Sequence, residues 1–197
     1  MANLQAALAA DRQAVGAFVD AARRVPPARW AVPRAAGKWS PGQVTEHVAL
    51  AYEQSRRMLL GTFTGPVQPW VLQLLARWIF LRLMFKRGDF GKAAVAPDFI
   101  QPGGSPASSA DLLARLETAV RDLETDLTTA SNERRTHFDH PIFGRLPLAD
   151  LLRFLMIHTQ HHRPQLAATP YEMSASTRRP ADKVGPNDPT VPDLTVA

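Results

Sequence analysis

The chain of 197 residues contains no cysteine, which excludes disulfides, thiolate metal ligands and a cysteine nucleophile together. A metal site, if there is one, must draw on His, Asp or Glu. The absence fits a reducing compartment, and a cytoplasmic location is the expectation. Long apolar runs are lacking too. The most apolar stretch, 69–88, carries Arg77 and Arg82, and its runs fall well short of the ~20 residues that a spanning helix needs. It reads as a helix that covers an edge of the fold or forms a homodimer face, with no membrane partner. The opening MANLQAALAADRQAV has no apolar core behind a basic start, so it reads as the first turns of an amphipathic helix, not a signal peptide. Acidic residues (18) are fewer than Lys and Arg (23), for a net charge of +5. The basic residues are scattered in small groups such as Arg23-Arg24 and Arg134-Arg135, without interleaved aromatics. A solvated surface is expected, and no nucleic-acid partner.

What is present is helical periodicity. Leu4, Leu8, Val15, Phe18, Val19 and Ala22 recur at helical spacing from about Asn3 to Arg24, and Pro26-Pro27 ends the segment. Ser40-Pro41-Gly42-Gln43 reads as a capping box with proline at the first helical position. The helix behind it, to Gly61, turns Val44, His47, Val48, Ala51 and Ser55 inward. A Pro-, Gly- and Ser-rich loop at 91–108 precedes a helix with the stripe Leu112, Leu113, Leu116, Val120, Leu123 and Leu127, and an outer pair Glu117–Arg121 at i,i+4. A loop holding His137 and His140 leads through Pro147 into the last long helix. No strand pattern rivals these helices. The reading is all-α: a four-helix bundle with an additional inserted helix over 1–172, and a disordered tail over 173–197.

His158 and His162 are one turn apart, so their side chains lie on the same face. That face continues the stripe Leu148, Leu151 and Leu155, and His47 points inward from the second helix. Spacing alone leaves two readings open: a buried, hydrogen-bonded set of core histidines, or three ligands of an open metal site. Pro164, two residues beyond His162, is expected to kink or end the helix near Gln160. Glu46 is expected to be a solvated charge. His161 falls off the ligand stripe, and Gln165 falls on it. No HEXXH pattern is present, which argues against peptidase chemistry of that kind.

WSPGQVTEHVALAYE and HPIFGRLPLADLLRFLMIHTQHHRPQL resemble the DinB-like (YfiT-like) superfamily of metal-dependent enzymes, whose members carry a histidine on the second helix and HxxxH on the last. The resemblance extends over about residues 3–170. It implies a four-helix bundle in which His47, His158 and His162 hold a divalent metal, with zinc, nickel and iron all compatible. The wider superfamily includes thiol S-transferases and a thiol-dependent isomerase. The resemblance therefore implies transfer of a low-molecular-weight thiol to a small-molecule substrate. A metal-dependent hydrolase and a non-enzymatic metal-binding or interaction protein stay open as alternatives.

Overall fold

Apolar stripes of about one side chain per helical turn can be buried only against one another, and the computed structural model, which describes residues 2–90 and 96–167, shows how they meet. Helix α1 spans Ala2–Arg23 and α2 Pro41–Leu60. Three consecutive stretches, Trp70–Leu75, Ala76–Leu81 and Arg82–Arg87, run on without a break as α3. Helix α4 spans Ser109–Asn132, α5 Leu148–His162 and the short α6 Pro164–Ala167. α1 packs chiefly along α5 and α2 along α4, which makes a four-helix bundle with α3 as the inserted helix. The expected inward stripes of α1, α2 and α4 are all buried. The expected tail at 173–197 lies outside the described residues.

The capping box forms as read. Ser40 Oγ accepts from the Gln43 N–H, and Gln43 Oε1 accepts from the Ser40 N–H. The cap fixes where α2 starts and hence the phase at which His47 enters the core. Ser40→Ala should lower the unfolding free energy by about 1 kcal/mol, read from urea denaturation. The expected Glu117–Arg121 pair is replaced: Glu117 accepts from Arg23 of α1, and Arg121 donates to Thr118. An ion pair between helices wins because the two long side chains can reach across the exposed seam.

Two findings depart from the all-helical reading of the later chain. Residues His137–His140 (β1) and Gly144–Pro147 (β2) form an antiparallel hairpin where a loop was expected, with Phe138 opposite Leu146 and His140 opposite Gly144. Phe138, His140 and Leu146 are buried while Asp139 is exposed, so a four-residue alternation drives the pairing. The three-residue connection closes on Gly144 at φ 68°, a left-handed conformation suited to glycine. Second, Pro164 does not end the helix at Gln160. The Arg163 N–H still donates to the Thr159 carbonyl, and the proline opens α6. His162 therefore keeps its helical position one turn beyond His158.

Between α1, α2 and α5, the Tyr52 hydroxyl donates to Asp11 Oδ1 at 2.8 Å and lies 3.2 Å from Thr159 Oγ1. Asp11 Oδ2 is buried without a partner among the described residues. Burial, opposed in part by the Tyr52 bond, pushes the Asp11 carboxyl up to about 7. A carboxyl raised on folding adds stability below its unfolded value near 3.8 and loses it as pH rises through 7. Asp11→Asn keeps an acceptor for Tyr52 and removes the buried charge. It should be more stable than the wild type by on the order of 3 kcal/mol at pH 8, with the gap closing near pH 4, as read from thermal melts at both values.

On α3, Trp70 (73%), Trp78 (55%), Ile79 (64%) and Leu75 (50%) are exposed, while Leu81 and Met84 are buried. The guanidinium of Arg82 lies over the Trp78 ring. No helix among the described residues is long and apolar enough to cross a membrane.

Candidate metal centre

His47 comes from the middle of α2, and His158 and His162 from the last two turns of α5. All three are buried, and one ring nitrogen of each lies within 4.8 Å of the others. Their ring centres are 4.6–4.8 Å apart.

The hydrogen bonds fix one of the three tautomers. His47 Nδ1 lies 2.7 Å from the Ile100 carbonyl. A carbonyl can only accept, so Nδ1 carries the proton and Nε2 presents its lone pair to the cluster. That Nε2 is 2.9 Å from His158 Nε2. Nδ1 of His158 and Nδ1 of His162 are buried with no hydrogen-bond partner among the described residues. Three neutral imidazoles in this arrangement leave buried polar atoms unpaired, each at a cost of about 1–3 kcal/mol. A shared cation would take the nitrogens that face the cluster, His47 Nε2 and His158 Nε2 among them, while His158 Nδ1 stays without a partner among the described residues; tetrahedral ligands at ~2.0–2.1 Å need nitrogens only about 3.3 Å apart. The residues fit a divalent ion after a small adjustment of the rings.

Electrostatics point the same way. Burial, opposed in part by the Ile100 bond and aided by the His161 ring, brings His47 down to about 4, and burial, aided by the His47 and His161 rings, brings His162 down to about 3. His158 is pushed well below the usual histidine range by burial first and then by the other two rings. All three are neutral near pH 7, the form that binds metal.

The cluster opens onto a cavity of about 350 Å³. Its walls carry Trp39, Phe80, Phe90, Phe99, Phe143 and Phe154, with Gln54 and Ser55 as polar members beside the histidines. Trp39 leans on His47 with ring centres 4.6 Å apart, and Phe154 stacks parallel to His158. No carboxylate lines the cavity among the described residues. The π-helical stretch of α3, Ala76–Leu81, supplies Ala76 and Phe80 to the wall. Such turns often mark functional sites.

The structure sorts the remaining candidates. Glu46 is not a solvated charge: it accepts from the Gly103 N–H at 3.0 Å and lies 3.7 Å from Arg115. It ties the 101–103 segment to α2 and is outside the cavity. His161 lies off the three-nitrogen cluster, as expected, but its half-buried ring does line the cavity. His137 stays with Thr136 Oγ1 at 2.8 Å and is not part of the wall. His140 does line the cavity. Gln165 lies beside His162 and opposes the lowering of its imidazole, so it stands beside the cluster. Reading the histidine pattern alone missed Trp39 and Phe154. Both had a signal: Trp39 directly precedes the Ser40 cap, and Phe154 is one turn before His158 on the same face.

The sequence profile of the DinB superfamily matches residues 7–166. Among solved structures, the crystal structure of TT2238, a four-helix bundle protein, superposes with a TM-score of 0.54. The two chains are 25% identical over 84% of this chain and 99% of that one. None of the curated proteins matches.

Proposed function

This chain belongs to the DinB superfamily, and on that premise we propose that it is a metal-dependent enzyme that transfers a low-molecular-weight thiol to a small apolar electrophile. The observation that carries the reading is the convergence of three neutral imidazoles, from two helices, at the wall of an apolar cavity. Three histidines leave at least one coordination position for an exchangeable ligand, as in catalytic sites. The bound ion would hold the thiol as its thiolate at neutral pH and so supply the nucleophile.

The chain's own residues do the rest. His47 is aimed by the Ile100 carbonyl. The aromatic walls exclude water and take the apolar part of the electrophile. The absence of a lining carboxylate among the described residues, with Glu46 held elsewhere, favours thiol transfer over hydrolysis. A hydrolase of the usual metal-assisted kind needs a nearby base for its water.

The test is displacement of chloride from 1-chloro-2,4-dinitrobenzene by a thiol, giving the aryl thioether, with zinc-, nickel- and iron-loaded protein and a panel of low-molecular-weight thiols. Metal-dependent product formation with at least one thiol is expected, lost on chelation. No turnover with any thiol would sink the transferase reading and leave the hydrolase.

A further inference from the structure

His140 is buried (6% exposed) at the end of β1 and contributes to the cavity wall outside the three-histidine cluster. Its Nδ1 accepts from two backbone donors of the hairpin connection, the Ile142 N–H at 3.1 Å and the Phe143 N–H at 3.3 Å. Amide N–H groups can only donate, so Nδ1 bears the lone pair and Nε2 carries the ring's proton. Burial pulls the group down to about 3, so the ring is neutral and this tautomer is locked at physiological pH. Nε2 has no hydrogen-bond partner among the described residues, and it is not one of the sealed, unpartnered atoms.

A donor without an acceptor in an apolar wall costs free energy that a ligand can recover. The rings of Phe143, Phe154 and Phe138 surround His140 at 4.7, 5.9 and 6.3 Å. No Lys, Arg, Asp or Glu lines the cavity among the described residues. A carboxylate or phosphate bound there would be a buried anion without a counter-charge. Phe154 stands between His140 and the metal cluster, with its ring centre 6.1 Å from that of His158.

We propose that His140 Nε2–H is a second polar subsite of the cavity, which binds an uncharged carbonyl oxygen on an aromatic ligand whose other end lies at the three histidines. The two-ended pose rests on the metal reading above, whereas the carbonyl subsite by itself does not. The substrate class is thus an aryl ketone, ester or amide rather than an acid.

The probes are 4-acetylphenylacetohydroxamic acid, which carries a metal-binding head and a distal carbonyl, and its 4-isopropenyl analogue, which has the same shape without the acceptor. Zinc-loaded wild type should bind the acetyl probe about tenfold more tightly. His140→Asn keeps an acceptor for the Ile142 and Phe143 amides but lacks the distal donor, and the ratio should fall to about one. His140→Gln restores a donor at that distance and should recover part of it. Equal affinities in the wild type, or a ratio that survives His140→Asn, would overturn the subsite. A second measurement removes the metal from the question. In metal-free protein, 4-methylacetophenone at millimolar concentration should shift the His140 Nε2 proton and nitrogen resonances, and no shift would also overturn it. If that shift is seen while hydroxamate affinity is indifferent to zinc, the subsite stands and the metal reading fails.

Discussion

Zinc binding by His47→Ala, His158→Ala or His162→Ala should be weaker than in the wild type by more than about a hundredfold. Loss of an outer partner of a metal ligand already costs 10–100-fold, and here a direct ligand is lost from a set of three. The three rings come from α2 and α5, so each variant removes either the bridge between helices or half of the HxxxH pair. Thiol transfer should disappear with the metal. His137→Ala is the control. Its ring is held by Thr136 away from the cavity, so metal content and activity should be unchanged. Helical circular dichroism separates ligand loss from misfolding. A buried imidazole replaced by alanine leaves a small void, and the bundle retains its Leu-rich layers at Leu116, Leu123, Leu127, Leu151, Leu152 and Leu155.

Metal-free protein should lose stability steeply on mild acidification and unfold between about pH 5 and pH 3. His140 and His162 are lowered to about 3 and His47 to about 4, and His158 is also lowered. Each has a folded value below its unfolded value near 6.5. Each therefore contributes stability that is present above pH 6.5 and lost as pH falls toward 3–4. Asp11 works in the opposite sense over pH 4–7, but one carboxyl does not offset four histidines. About three protons are taken up on unfolding, which gives a slope of roughly 4 kcal/mol per pH unit. That slope exhausts a typical stability of 5–15 kcal/mol within a few pH units. Ellipticity at 222 nm followed from pH 7.5 to 3.5 reads the transition. Unfolding free energy from urea that does not fall between pH 7 and pH 5 would mean that the imidazoles are not buried as described. Zinc should move the midpoint to lower pH until protons displace it from the histidines.

The parts of the fold and site that were legible in the sequence are those with a local cause. The Ser40 box, the apolar stripes and the one-turn spacing of His158 and His162 each depend on residues within a few positions of one another, and the structure reproduces each. What was not legible depends on partners distant in sequence. Pro164 was expected to disturb His162, but the bond it cannot donate and the carbonyl its ring crowds both belong to Gln160, and the Arg163–Thr159 bond survives. Glu46 looked solvated because its partners, Gly103 and Arg115, are more than fifty residues away. The hairpin was too short for strand periodicity, yet it sets the orientation of His140. The aromatic walls are drawn from Trp39 ahead of the Ser40 cap, Phe80 of α3, Phe90 beyond its end, the segment around Phe99, the hairpin connection and α5. No single stretch of sequence announces them.

The central claim is that His47, His158 and His162 hold one divalent ion. Elemental analysis of folded wild-type protein, purified without added metal and then exposed to excess zinc and desalted, tests it most directly. One ion per chain is predicted. Folded protein that emerges with no stoichiometric metal after this treatment would contradict the account.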